Sequence, residues 1–142
     1  MAFMNQERKA ERAPAIKAVL KKYGMKGSIS VQNYSSLVVT LKEGKLDLIG
    51  MADRSNREYA EFNGREYYPV SGHYQMNQYH DADKARRMGE EKIANFIDEL
   101  TSAMYGSDYF DESDAMTDYF HCSHYININV GKWDKDYEYT GA

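Results

Sequence analysis

Four side chains near the C-terminal end have the donor types of a zinc site: Asp118, His121, Cys122 and His124. Their spacing argues against one. On a strand, His121 and Cys122 point to opposite faces. A turn at Ser123 would let the two histidines flank it and converge, but two ligands do not make a site. No second pair stands at a recognised zinc spacing. These residues read better as polar hairpin positions, and neither a metal nor a cofactor is expected. Cys122 has histidines on both sides in sequence, yet catalytic Cys–His pairs are spatial, and a small residue in a strand reads first as packing. The chain has no G-x-S-x-G, no P-loop and no G-x-G-x-x-G. No catalytic residue is assigned. A metal-dependent enzyme built at His121 and His124 ranks third among the functional readings.

Recognition chemistry is better represented. The run from Asp108 to Tyr119 places Asp108, Asp111, Glu112, Asp114 and Asp118 among Tyr109, Phe110 and Tyr119. Carboxylates along a loop can steer a basic partner into contact, and the aromatics then supply contact energy. The plainer alternative is a solvated loop with a few aromatics tucked onto the core. A second set, Arg54, Arg57, Tyr59, Arg65, Tyr67 and Tyr74, could stack on bases and grip phosphates as a nucleotide-signal or single-stranded nucleic-acid site. The same residue types are enriched at protein–protein hot spots.

The elements that must position these groups follow from periodicity. Ala13, Ile16, Val19, Leu20 and Tyr23 recur at helical spacing, so an ordered helix is expected from about Ala13, with Pro14 in its first turn and Gly24 at its end. Residues 28–32 and 37–41 alternate as strands around the turn cluster Asn33-Tyr34-Ser35-Ser36. A tight turn at Glu43-Gly44 and a third strand from Leu46 to Gly50 complete a meander. Met51 to Gln78 has no clean period and reads as irregular, with Tyr67-Tyr68-Pro69-Val70 as a short edge strand. A long second helix, capped by Asp81 or Asp83, buries Met88, Ile93, Phe96, Ile97, Leu100 and Met104 and stops at Gly106. A closing hairpin pairs Thr117–Cys122 with His124–Val130, turning Ile126, Ile128 and Val130 inward. The expected fold is α+β: a two-layer sandwich in the order α-β-β-β-α-β-β, with an antiparallel sheet and helices on one face.

A length of 142 residues suits a single domain, 1–142. One cysteine excludes an internal disulfide and agrees with a reducing compartment, and no segment reads as a signal peptide or membrane span. The expected location is cytoplasmic. Thirteen Tyr against one Trp favour a sheet with wet faces. The net charge of −4 is unevenly spread. Residues 1–26 hold seven Lys or Arg, whereas Ile93 to Gly131 holds none. Such asymmetry concerns partners and association rates rather than fold.

The runs Phe110-Asp111-Glu112-Ser113-Asp114, Thr117-Asp118-Tyr119-Phe120 and His124 to Lys135, together with the opening Ile16 to Leu41, resemble small accessory proteins of bacteriophages and mobile elements. They are also similar to a domain associated with large polyvalent proteins of such elements. The resemblance supplies no catalytic residues. It implies a protein made in a bacterial host cytoplasm that binds and inhibits a host defence protein, of anti-CRISPR or anti-restriction type, by surface occlusion. The expected partner is a basic nucleic-acid-binding effector or nuclease, not a membrane. The expected contact surface is the acidic run.

Overall fold

The computed structural model describes residues 2–107, 109–111 and 122–141. Helix α1 spans Gln6–Lys22, starting well before Ala13. Asn5 explains the early start: its side chain accepts the Arg8 amide at 2.8 Å and satisfies one of the free N–H groups of the first turn. Pro14 is tolerated inside the helix because it and Ala10, whose carbonyl its missing N–H would have met, both face solvent. Ile16 and Leu20 point inward.

Strands β1 (Met25–Gln32) and β2 (Ser36–Gly44) form the expected antiparallel hairpin. Asn33 and Tyr34 adopt φ of 55° and 54°, and the Ser35 amide donates to the Gln32 carbonyl at 3.2 Å. Positive φ at both central residues is the turn whose twist matches the flanking strands. Glu43-Gly44 is not a turn; it continues β2.

The expected third strand at Leu46–Gly50 is instead the approach to helix α2, Leu48–Asn63. Asp47 caps it by accepting the Gly50 amide at 3.0 Å, and Gly64 closes it in the left-handed region at φ 62°. Leu48 and Met51, three apart, thereby share a buried helical stripe. The segment read as irregular therefore contains most of a helix, followed by an extended loop. No strand forms at Tyr67–Val70; the edge strand β3 is Tyr74–Met76, beyond Pro69.

The long second helix is two: α3 (Asp81–Arg87) and α4 (Glu91–Tyr105), separated by a turn at Met88 and Gly89. His80, not Asp81 or Asp83, occupies the cap position. The buried Asp81 carboxylate instead accepts the Asn77 amide at 2.9 Å. Ile93, Phe96, Ile97, Leu100 and Met104 are buried along α4 as their spacing implies, and Gly106 ends it, but Met88 of the expected stripe lies in the turn and is only half-buried.

Strands β4 (Tyr125–Val130) and β5 (Glu138–Tyr139) complete the order. Residues 117–121 of the expected hairpin lie outside the described residues, and Cys122 forms an isolated bridge with Asp111. The sheet order is β1-β2-β4-β3, with β5 on β2. The α+β class holds, but the sheet is mixed: β2 and β4 run parallel, β3 and β4 antiparallel. Alternation along a strand sets which face is buried but says nothing about the direction of its neighbour. Leu37 pairs with Ile126, Val39 with Ile128 and Leu41 with Val130, all at 2% exposure or less, so one face of the sheet is continuous core. Helices α1 and α4 supply the facing layer, and Lys22 at the end of α1 and the capping Tyr23 both bond Glu99 of α4, the lysine at 2.7 Å. That contact holds the Glu99 carboxyl below its usual range, Lys22 being the larger cause and Tyr23 the next. Among the described residues, no helix is long and apolar enough to cross a membrane.

Candidate functional site

Of the acidic aromatic run, Tyr109, Phe110 and Asp111 are described; Asp108, Glu112, Asp114, Asp118 and Tyr119 lie outside the described residues. Tyr109 is turned inward. Its ring centroid lies 4.3 Å from that of Tyr105 and meets His124 edge-on at 5.5 Å. Phe110 and Asp111 are exposed, while their backbone is tied to the start of β4: the Ser123 amide donates to the Phe110 carbonyl at 2.8 Å. The N-terminal end of the run is thus anchored, with two side chains presented outward.

His124 is fully buried, and both ring nitrogens are engaged, Nδ1 with Ser123 Oγ and Nε2 with the Met104 carbonyl, each at 2.9 Å. It holds the core together rather than offering a metal ligand. His121 and Asp118 lie outside the described residues, among which no group of three His, Cys, Asp or Glu could hold a metal ion. Cys122 is buried, and burial, followed by the Asp111 carboxylate, pushes its thiol up, opposite to the shift a nucleophile needs.

The Arg/Tyr set does not converge. Arg54 is paired with Glu90 at 2.7 Å, bridging α2 to the start of α4. Arg57 lies over the Tyr67 ring, 5.1 Å from its centroid, and 3.5 Å from Asp53. Asp53 also accepts the Tyr67 hydroxyl and, at 3.1 Å, the Val70 amide, so it fastens the extended loop to α2. The Tyr67 hydrogen bond first, then the Val70 amide, hold the Asp53 carboxyl below its usual range. Tyr74 points into the core, its hydroxyl directed at the Leu48 carbonyl, and desolvation raises its phenol. Tyr59 and Arg65 remain exposed, flanking a shallow depression with Tyr68.

A different site emerges on the outer side of α2. Ser55, Tyr59 and Phe62 stand at i, i+4 and i+7 and form one wall of an open groove of about 920 Å³. Lys84, Arg87 and Met88 of the α3 end form the other wall. Phe62 is 90% exposed and Tyr59 59% exposed. Glu58 and Glu61 add negative charge to the rim opposite the two cations. Phe62 escaped the sequence reading because α2 was not recognised. The signal was present: Asp47 and Gly64 are a start and stop pair around a helical period.

No protein-family model, no curated protein and no solved structure shows a significant match to the chain.

Proposed function

We propose that the chain is a protein-binding module that acts by covering a surface of its partner. The observation that carries this reading is the exposed pair Tyr59 and Phe62 on one face of α2, set in a groove with Met88 opposite and charges of both signs on the rim. Aromatic anchors ringed by polar groups are the usual composition of a protein contact centre, and adjoining exposed aromatics rimmed by polar residues mark an interaction surface where a single one would not. The sequence resemblance to phage and mobile-element accessory proteins gives the reading its sharper form: inhibition of a host defence protein, of anti-CRISPR or anti-restriction type, in the bacterial cytoplasm. Asp111, with the rest of the acidic run, would steer a basic nuclease or effector, and the α2 groove would supply the contact energy.

The test is co-purification with a panel of bacterial defence nucleases and effectors. One member should form a complex stable to gel filtration and lose its activity in that complex. Phe62→Asp should weaken the complex at least tenfold, because hot-spot truncations cost about 2 kcal/mol or more. Charge reversal at Asp111, Glu112 and Asp114 should slow association with a smaller effect on dissociation. Binding that survives Phe62→Asp unchanged would remove the groove from the reading, and no complex across the panel would remove the reading itself.

A further inference from the structure

The face of the sheet away from the helices is uncharged and mostly polar, with Val38 and Thr40 of β2 buried along its middle. Across its width run Ser28, Thr40, Asn129 and Gln75, one residue from each of β1, β2, β4 and β3 in register. Ser30, Val38 and Asn127 form the next row, and Tyr125, 49% exposed, stands at the start of β4, the end of the strand away from Gly131. Apart from Val38, these are hydroxyls and amides, groups that both donate and accept hydrogen bonds. Gln75 Nε2 already donates to Asn127 Oδ1 at 3.0 Å, which fixes both amides.

At the edge of this face the charge changes abruptly. Thr40, Lys42, Lys132 and Lys135 line a cleft of about 200 Å³ together with Gly131 and Asp136. Among the described residues, none of the three lysines has an ion-pair partner within 4.0 Å. Asp136 offsets part of this charge, and the three lysines still leave the cleft lining with a positive excess on a chain of net charge −4. Their backbone is held in place. Lys132 and Lys135 exchange amide-to-carbonyl hydrogen bonds at 2.8 and 3.2 Å, and the Gly131 amide donates to the Leu41 carbonyl at 2.8 Å. Between the two lysines, Trp133 is 85% exposed.

We infer that this cleft and the adjoining sheet face form a binding site for single-stranded nucleic acid. The lysines take backbone phosphates, Trp133 offers a ring for base stacking beside them, Tyr125 offers a second ring at the far end of the face, and Asn129 and Gln75 face base edges. An acidic peptide would use the lysines but would leave the exposed indole and the amide row without a role. The lysine cleft shares no lining residue with the groove at Tyr59 and Phe62, so the inference adds to the protein-binding reading and does not depend on it.

The test is fluorescence anisotropy with labelled single-stranded DNA and RNA of about 12 nucleotides, a length suited to one small domain. Binding is expected for at least one of them, in the ~10⁻⁴ to 10⁻⁶ M range of non-specific sites, with log K falling against log salt at a slope of about −2 for three phosphate contacts. The double variant Lys132→Glu, Lys135→Glu should lose at least tenfold. Trp133→Ala should lose about fivefold or more while leaving the salt slope unchanged, the signature of stacking rather than charge. Phe62→Asp should bind the strand as the unaltered protein does. All these residues are exposed, and unchanged circular dichroism verifies folding. No binding at low salt, equal binding of polyglutamate, or full binding by the lysine double variant would overturn the inference.

Discussion

Ser123 Oγ lies 2.9 Å from His124 Nδ1, and the Arg8 guanidinium donates to the same hydroxyl at 2.8 Å. With Nε2–H donating to the Met104 carbonyl, Nδ1 is the accepting nitrogen and the Ser123 hydroxyl is its donor. One chain of polar contacts therefore joins α1, the start of β4 and the end of α4 inside the protein. His124→Ala would leave the Met104 carbonyl and the Ser123 hydroxyl buried without that partner and open a void. The expected loss is about 2–4 kcal/mol of stability, read from urea denaturation with an unchanged slope.

A pH dependence follows from Asp53. Its folded-state pKa is depressed, so the stabilisation it provides is complete above its ordinary unfolded value and is lost as pH falls through the folded value. Acidification below the ordinary carboxylate range should loosen the loop carrying Tyr67 and Val70 from α2 before the core yields. The Val70 amide should exchange with solvent faster at low pH in the unaltered protein. In Asp53→Asn its exchange, corrected for the intrinsic rate, should be fast and without that acid dependence.

The two ends of α2 test its capping. Asp47→Ala removes the acceptor of the Gly50 amide and should cost about 1 kcal/mol. Gly64→Ala, at φ 62° with open space around it, should cost a similar amount through backbone strain alone. Thermal denaturation should show the two effects adding, since the sites share no partners.

Gly131→Ala should be more damaging. Its φ is +71°, and an added Cβ would lie 2.7 Å from both the Gly72 carbonyl oxygen and the Tyr137 amide nitrogen. Strain and backbone collision act together there, so a loss above about 2 kcal/mol is expected. If the lysine turn carries the nucleic-acid site, oligonucleotide binding should fall in the same variant even under conditions where it remains folded.

Much of the core was legible because it rests on period alone. Ile126, Ile128 and Val130 alternate, and the apolar positions of α4 recur every three or four residues; both patterns are buried as read. What was not legible depended on a single residue or on distant pairing. Asp47 decides that Leu48 and Met51 start a helix, because its cap satisfies an amide that a strand would have paired elsewhere. Asn5 decides the same for α1 in spite of Pro14. The parallel pairing of β2 with β4 left no local trace. The site followed suit: Arg57 and Tyr67 are engaged with Asp53, Tyr74 packs against the core, and Phe62 stands out as a surface residue only on the helix α2.

The pairing of Leu37–Leu41 with Ile126–Val130 also sets a timetable. During synthesis the β1–β2 hairpin emerges early, but the strand that completes the middle of the sheet appears only after α2, β3, α3 and α4. Until then an apolar strand edge stands open in the nascent chain, a hazard for misassociation and a site for chaperones. The slow event in folding should accordingly be the arrival of β4, a contact between distant parts of the chain, rather than the formation of any one helix.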